Sequence, residues 1–234
     1  MEIFWGILLI VSVGIAIAYR YYPRRKKTAK PEYVGMQEMG FSEVGLPDAT
    51  LRRNVIQLHH KYEGQKLTLQ DIFRIDHEGL PFYLFDIQDE AGKVPVLITQ
   101  DMVALISPRL NLPRLVVISR PNASGGLGAV ADRFMLSIAD WEKNEQGLKF
   151  VSFEEDPDFN RRFLFFTTEP ERVKEFIMGN LRQFLENLPQ RFSIDLFADT
   201  FTIVQNSPDR SVPRKERILL TLSKAVELNR LLQD

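Results

Sequence analysis

Cysteine is absent from all 234 residues. Its absence excludes disulfides, thiolate metal sites and thiol nucleophiles together, and it suits a reducing compartment. Histidine is scarce, with only His59, His60 and His77. A zinc-binding helix places two histidines at i and i+4. His59 and His60 are adjacent, about 100° apart on a helix, so they are expected on the polar surface rather than on a metal. The chemical motifs of common enzymes are missing as well. There is no Gly-x-Ser-x-Gly elbow and no His-Glu-x-x-His helix. Gly125-Gly126-Leu127-Gly128 lacks the Lys-Ser/Thr of a phosphate loop and the spacing of a dinucleotide loop, so it reads as surface loop.

What is present is ordinary for a globular chain: 44% apolar and 26% charged residues. The net charge of −1 conceals an asymmetry. Arg20, Arg24, Arg25, Lys26, Lys27 and Lys30 form a basic segment with no acid among them. Setting these six and Glu2 aside leaves 24 basic against 30 acidic residues, a net charge of −6. An acidic domain is a poor nucleic-acid binder, and no nucleic-acid partner is expected.

Ile3 to Tyr19 is uncharged. As a helix it would run about 26 Å, close to the hydrocarbon thickness of a bilayer. Trp5 at one end and Tyr19, Tyr21 and Tyr22 at the other suit the two interfaces. The basic residues flank only the carboxyl end. The positive-inside rule then makes the chain a single-pass protein of the cell membrane, N-terminus outside and C-terminal domain cytoplasmic. The six basic residues serve as topology signal or lipid head-group contact. The rival reading is a signal peptide cleaved after Ala18, which would release a secreted or periplasmic domain. The anchor is preferred, because a basic n-region is missing. The expected domains are therefore an anchor over residues 1–22, a basic stalk and tether over 23–50, and a soluble domain over 51–234.

Beyond the tether, Leu51 to Tyr62 has helical spacing. Leu67–Ile75 and Pro81–Gln88 flank the turn-forming Asp76-His77-Glu78-Gly79 and predict a hairpin. Val94–Thr99, Leu115–Ser119, Phe134–Ile138, Leu148–Phe153 and Phe163–Thr167 read as strands, with a short helical piece over Gln100–Ile106. Thr168 and Glu171 have the spacing of a capping box opening a helix that runs to Pro189. Phe192–Phe197 and Phe201–Val204 predict a second hairpin across Ala198-Asp199, and a final helix covers Arg214–Leu232. Strands followed by helix, hairpin and helix predict an α+β fold: a transmembrane helix, then one domain of antiparallel strands with two long helices in its C-terminal half. The 17 phenylalanines fall at core spacing. The densest carboxylates, Glu154, Glu155, Asp156 and Asp158, could serve hydrolysis if burial split their pKa values, but Asp-Pro-Asp before a strand reads first as a turn.

The run from Val151 to Arg172, with its Asp-Pro-x-Phe followed by Arg-Phe, and the Phe-containing hairpin ending at Val204 carry a resemblance. Residues 148–204 resemble the carboxyl-terminal part of a bacterial family of membrane-anchored proteins of unknown function. The resemblance implies a bacterial membrane protein and brings no catalytic residues with it. No catalytic, cofactor-binding or metal-ligating residue is assigned, and no cofactor is expected. The sequence thus points to a membrane-tethered cytoplasmic interaction or scaffold module with a protein partner, and to an enzyme less than to a binder. The alternative is a small-ligand sensor or enzyme whose site is built from carboxylates, Arg and Tyr.

Overall fold

The structure, a computed structural model, describes residues 31–46, 48–60, 63–92, 94–120, 147–206 and 211–233. The chain divides into two compact units, Met1–Glu38 and Met39–Asp234. In the first, helix α1 covers Pro31–Glu38. The second is built on one nine-stranded sheet in which every pairing is antiparallel.

In chain order its elements are β1 (Ser42–Glu43), α2 (Ala49–His59), β2 (Leu67–His77), β3 (Leu80–Asp89), β4 (Val96–Ile106), β5 (Leu112–Ser119) and β6 (Lys149–Val151). Then come α3 (Pro157–Arg162), β7 (Phe163–Thr167), α4 (Pro170–Phe176), a π-helical turn (Ile177–Leu181), α5 (Arg182–Glu186), β8 (Phe192–Ala198), β9 (Thr200–Gln205) and α6 (Arg214–Gln233). The strand order is β1-β2-β3-β4-β9-β8-β5-β7-β6. The β2–β3 hairpin turns at Glu78-Gly79, both at positive φ, a geometry that glycine adopts without strain.

Helices cover both faces, so central strands are apolar on both sides. On β9, Thr200 and Thr202 face α2, with Asn54 donating to Thr200 Oγ1 at 2.8 Å and His59 Nε2 lying 3.2 Å from the hydroxyl of Thr202. Leu51 and Val55 of α2 pack there with Tyr83, Phe85, Ile87, Met102 and Ala104. The alternate residues Phe201 and Ile203 point to the other face, and α6 packs against β4 and β9. Phe153, Phe159, Phe163 and Phe165 form a ring cluster with centroids 5.1–6.0 Å apart, in edge-on, tilted and, for Phe159 with Phe165, stacked geometry.

Several expectations need correcting. The fold is dominated by the single large sheet, and among the described residues one long helix, α6, stands in place of two. The segment expected as one helix from Thr168 to Leu188 is divided by the π-helical turn into α4 and α5. Its capping box does not form: Glu169 occupies the N-cap without a side-chain cap bond, and the neighbouring Thr167 hydroxyl accepts from the Glu169 amide instead. Gln100–Ile106 is not helical but continues β4.

The transmembrane and single-pass reading is corrected too. No helix among the described residues is long and apolar enough to cross a membrane. The 20 residues of α6 reach sufficient length, but Arg214, Lys215, Glu216, Arg217, Lys224, Glu227 and Arg230 make it too polar. Ile3–Tyr19, the strand expected at Phe134–Ile138 and the Gly125–Gly128 loop lie outside the described residues.

Candidate functional site

Edges of sheets invite partners, because their backbone amides and carbonyls lack a ladder. The two outermost strands here are short: two residues in β1 and three in β6. A further open edge lies inside the sheet. Strand β4 is paired with β3 along nearly its whole length, from Asp89↔Val96 to Phe82↔Leu105. On its other side β9 reaches only Val103–Ile106. Among the described residues, Val96–Met102 therefore has no strand on that side.

The first side chains of this stretch are apolar and in solvent, whereas Thr99, Gln100 and Asp101 are polar and Met102 is buried. Val94 is 72% exposed, Val96 59%, Leu97 49% and Ile98 38%. Consecutive strand residues point to opposite faces, so both faces of the edge are apolar. No charged residue falls between Val94 and Gln100, although edge strands commonly carry Lys or another charge to deter pairing. Near the end of the open stretch stands Asp101, a residue at φ 56° in the irregular part of the β3–β4 ladder. Asp101 is clamped by Arg214 at the start of α6, through bonds of 2.7 and 2.9 Å.

Asp86, on the neighbouring strand, accepts from the Asp101 amide at 2.9 Å. It is buried, and burial raises its pKa to about 6; the carboxylates of Asp101 and Asp71 push in the same direction, while the Asp101 amide and Arg214 oppose it.

A second feature is a cleft of about 690 Å³ between α2, β5, the β7–α4 junction and the end of β8. Arg53, Ile56, Gln57 and Leu58 line it from α2, and His60, the extended residue that caps the helix, lines it just beyond the helix end. The sheet contributes Arg114 and Phe197, and Thr168 closes one side. Arg114 is the most deeply set cation of the lining, its side chain 12% exposed. Its Nη2 donates to the Leu58 carbonyl at 3.1 Å, one of the carbonyls left over in the last turn of α2. Its Nη1 lies 3.7 Å from Asp195, which is 8% exposed. Burial lowers the Arg114 pKa, and Asp195 raises it in part compensation.

The residues singled out from the sequence are distributed differently from expectation. Arg20, Arg24, Arg25, Lys26, Lys27 and Lys30 lie outside the described residues. His60 lines the cleft, His59 faces Thr202, and His77 sits at the β2–β3 turn, so the three histidines do not converge. Among the described residues no group of histidines and carboxylates is placed to hold a metal. Of the carboxylates at 154–158, Asp156 and Asp158 are engaged in structural contacts. Asp156 caps α3 by accepting from the Phe159 amide at 3.0 Å and pairs with Arg182. These contacts, the amide first, hold its pKa below the usual carboxylate range. Asp158 pairs with Arg161 at 2.7 Å. Neither the open β4 edge nor Arg114 stood out in sequence; the uncharged run VPVLITQ from Val94 to Gln100 was the one signal for the former.

No family model and no curated protein matches the chain. Among solved structures it is similar to the mycobacterial trehalose monomycolate transport factor A, TtfA, at 10% identity and a TM-score of 0.46, over 85% of this chain and 92% of that one. This is a likeness to a bacterial protein that carries no function across, and it does not confirm the membrane anchor implied by the resemblance of residues 148–204.

Proposed function

We propose that residues 39–234 form a protein-interaction module whose docking element is the open edge of β4. The carrying observation is the coincidence, among the described residues, of a missing ladder partner along Val96–Met102 with the exposed apolar side chains of Val96, Leu97 and Ile98 at its start. The partner that fits is an extended, mainly apolar segment of another protein. It would add as a strand, its backbone completing the ladder and its alternate side chains covering Val96, Leu97 and Ile98. An exposed apolar edge of this kind is otherwise an aggregation hazard, which favours a regular occupant.

The test places a photo-crosslinking amino acid at Val94 in the full chain, in cells, with a control at the exposed Glu171. A discrete adduct at position 94, absent at 171 and abolished by Leu97→Lys, is expected. In the isolated complex the amides of Val96–Gln100 should gain protection from hydrogen exchange. Leu97→Lys should keep the fold, with stability changed by no more than about 0.5 kcal/mol, because the side chain is half exposed. Adduct formation that ignores Leu97→Lys would overturn the proposal. So would a dimer of this chain that dissociates on Leu97→Lys, since the occupant would then be a second copy.

We further propose that this module works in the cytoplasm, a reading supported by the lack of cysteine. In the cysteine-free background, Glu171→Cys should react with an impermeant thiol reagent only after lysis. Labelling of whole cells would move the module to the envelope.

A further inference from the structure

We infer that the open β4 edge carries a proton-operated hinge, built from the buried Asp86 carboxyl and the Asp101 bulge that it holds. With Asp86 protonated the stretch Val96–Met102 stays on β3; ionisation of Asp86 releases it. The inference rests on the reading of this edge as the docking element and adds its control. Its basis is the way β3 is flanked. On one side the pairs Phe85↔Met102 and Ile87↔Thr99 leave Gln100 and Asp101 of β4 opposite the single Asp86. On the other, Gln70↔Asp86 and Phe73↔Leu84 leave Asp71 and Ile72 of β2 opposite the single Phe85. Each is a bulge, two residues against one. Asp101 and Asp71 both have left-handed backbones, at φ 56° and 48°. A residue other than glycine keeps that conformation only where its surroundings hold it.

Two contacts hold Asp101. Its amide donates to Asp86 Oδ1 at 2.9 Å, and its carboxylate accepts from Arg214 at 2.7 and 2.9 Å. Three charges face Asp86 from the elements packed against it: Asp101 on β4, Asp71 on β2 and Arg214 on α6. Two of them repel a carboxylate, and the one cation is engaged by Asp101. A protonated Asp86 still offers an oxygen to the Asp101 amide, with neither the repulsion nor a buried charge. An ionised Asp86 adds both costs, burial the larger, and its pKa rises to about 6 as a result. The cost falls when Gln100 and Asp101 leave β3 and water reaches the carboxylate. On the far side of β4, among the described residues, β9 restrains the strand only from Val103 onward. Strand addition needs a template fixed on β3, so the edge receives a partner best while Asp86 is protonated.

Amide hydrogen exchange of the free full chain, corrected for the intrinsic effect of pH, tests the hinge with no partner present. Between pH 5 and pH 7.5 the opening of Val96–Met102 should increase about tenfold. That is the factor dictated by a carboxyl at 3.8 when released and at about 6 when held. The increase should level off above the midpoint at which the Asp86 carboxyl carbon titrates, followed by NMR on the same chain. At either pH the edge should open at least about a hundredfold more often than β5 and β7, which marks a local release. Asp86→Asn keeps an acceptor for the Asp101 amide, so it should abolish the pH dependence and leave the edge at least as protected as at pH 5. Equal opening at both pH values would overturn the inference, as would a dependence that survives Asp86→Asn. An edge that opens no more often than β5 and β7 does so only by global unfolding, and this too would overturn it. In the unsubstituted chain alone, a carboxyl midpoint near pH 4 would have the same force. Failure of the crosslink at position 94 with these results intact would remove the docking reading and leave the hinge standing.

Discussion

Asp86 shows how a single side chain sets a measurable property. Its carboxyl is held protonated more strongly in the folded chain, at about 6, than the ordinary value of 3.8 in an unfolded one. A raised carboxyl pKa means that the folded state binds the proton more tightly. The contribution to stability is therefore complete below about pH 4 and is lost as pH rises through about 6. The difference corresponds to about 3 kcal/mol. Other carboxylates act with the opposite sign: Glu78 beside Arg230 and Asp156 beside the Phe159 amide and Arg182 have lowered values, so their contributions fade on acidification. A comparison with Asp86→Asn isolates the first effect, because the amide oxygen can still accept from the Asp101 backbone. Urea midpoints from pH 4 to pH 7.5 should show the wild type losing about 3 kcal/mol relative to the variant. Parallel curves would mean that Asp86 is not held protonated by its surroundings. None of this was visible in sequence. Asp86 and Asp101 are 15 residues apart, Asp71 is further still from Asp101, and only the irregular pairing of β2 and β4 with β3 brings their charges together. Arg114 was equally silent, since its meaning depends on Asp195 and on the end of α2.

Elements were legible where local pattern and final environment agree. The β2–β3 and β8–β9 hairpins were readable because each turn carries its own chemistry: Glu78-Gly79 in one, Ala198 at φ 53° in the other. The strand Phe163–Thr167 was readable as a short apolar run, and all five of its residues are buried. Failures occurred where a distant partner decides. Gln100–Ile106 has a local pattern compatible with a helical turn, and what makes it a strand is its ladder with β3 on one side and, from Val103 on, with β9 near the other end of the chain. The periodicity after Thr168 was correctly apolar on one face, since Val173, Ile177, Leu181, Phe184 and Leu185 are all buried. The π-helical turn within it has no comparable signature, and neither does the shift of the cap from Thr168 to Glu169. The β4 edge follows the same logic: its residues announced a strand, and only the shortness of β9 exposed one side of it.

On the scale of the whole sheet, β9 is the seam. To one side of it lie β1 to β4, to the other β8, β5, β7 and β6. Ile203 stands opposite Val103 on one neighbour and Ile194 on the other, and it is fully buried. Val103 and Ile203 are 100 residues apart, so the pairing that joins the halves is also costly in chain entropy. Two helices reinforce the seam from opposite faces. On one, α2 touches β2, β8 and β9; on the other, α6 touches β4, β9 and the π-helical turn. The sheet should therefore unfold as one unit, although its two halves each contain locally paired strands. Ile203→Pro removes an amide from the ladder and a buried side chain from the core, and it should cost more than about 4 kcal/mol. That is comparable to the total of about 5–15 kcal/mol expected for a domain. Amide exchange then distinguishes the two possibilities. Loss of protection together in β3 and in β7, strands on opposite sides of β9, is the outcome expected of a single cooperative sheet. Protection kept in β5 and β7 while β3 exchanges freely would show that the halves hold themselves together, with β9 merely bridging them.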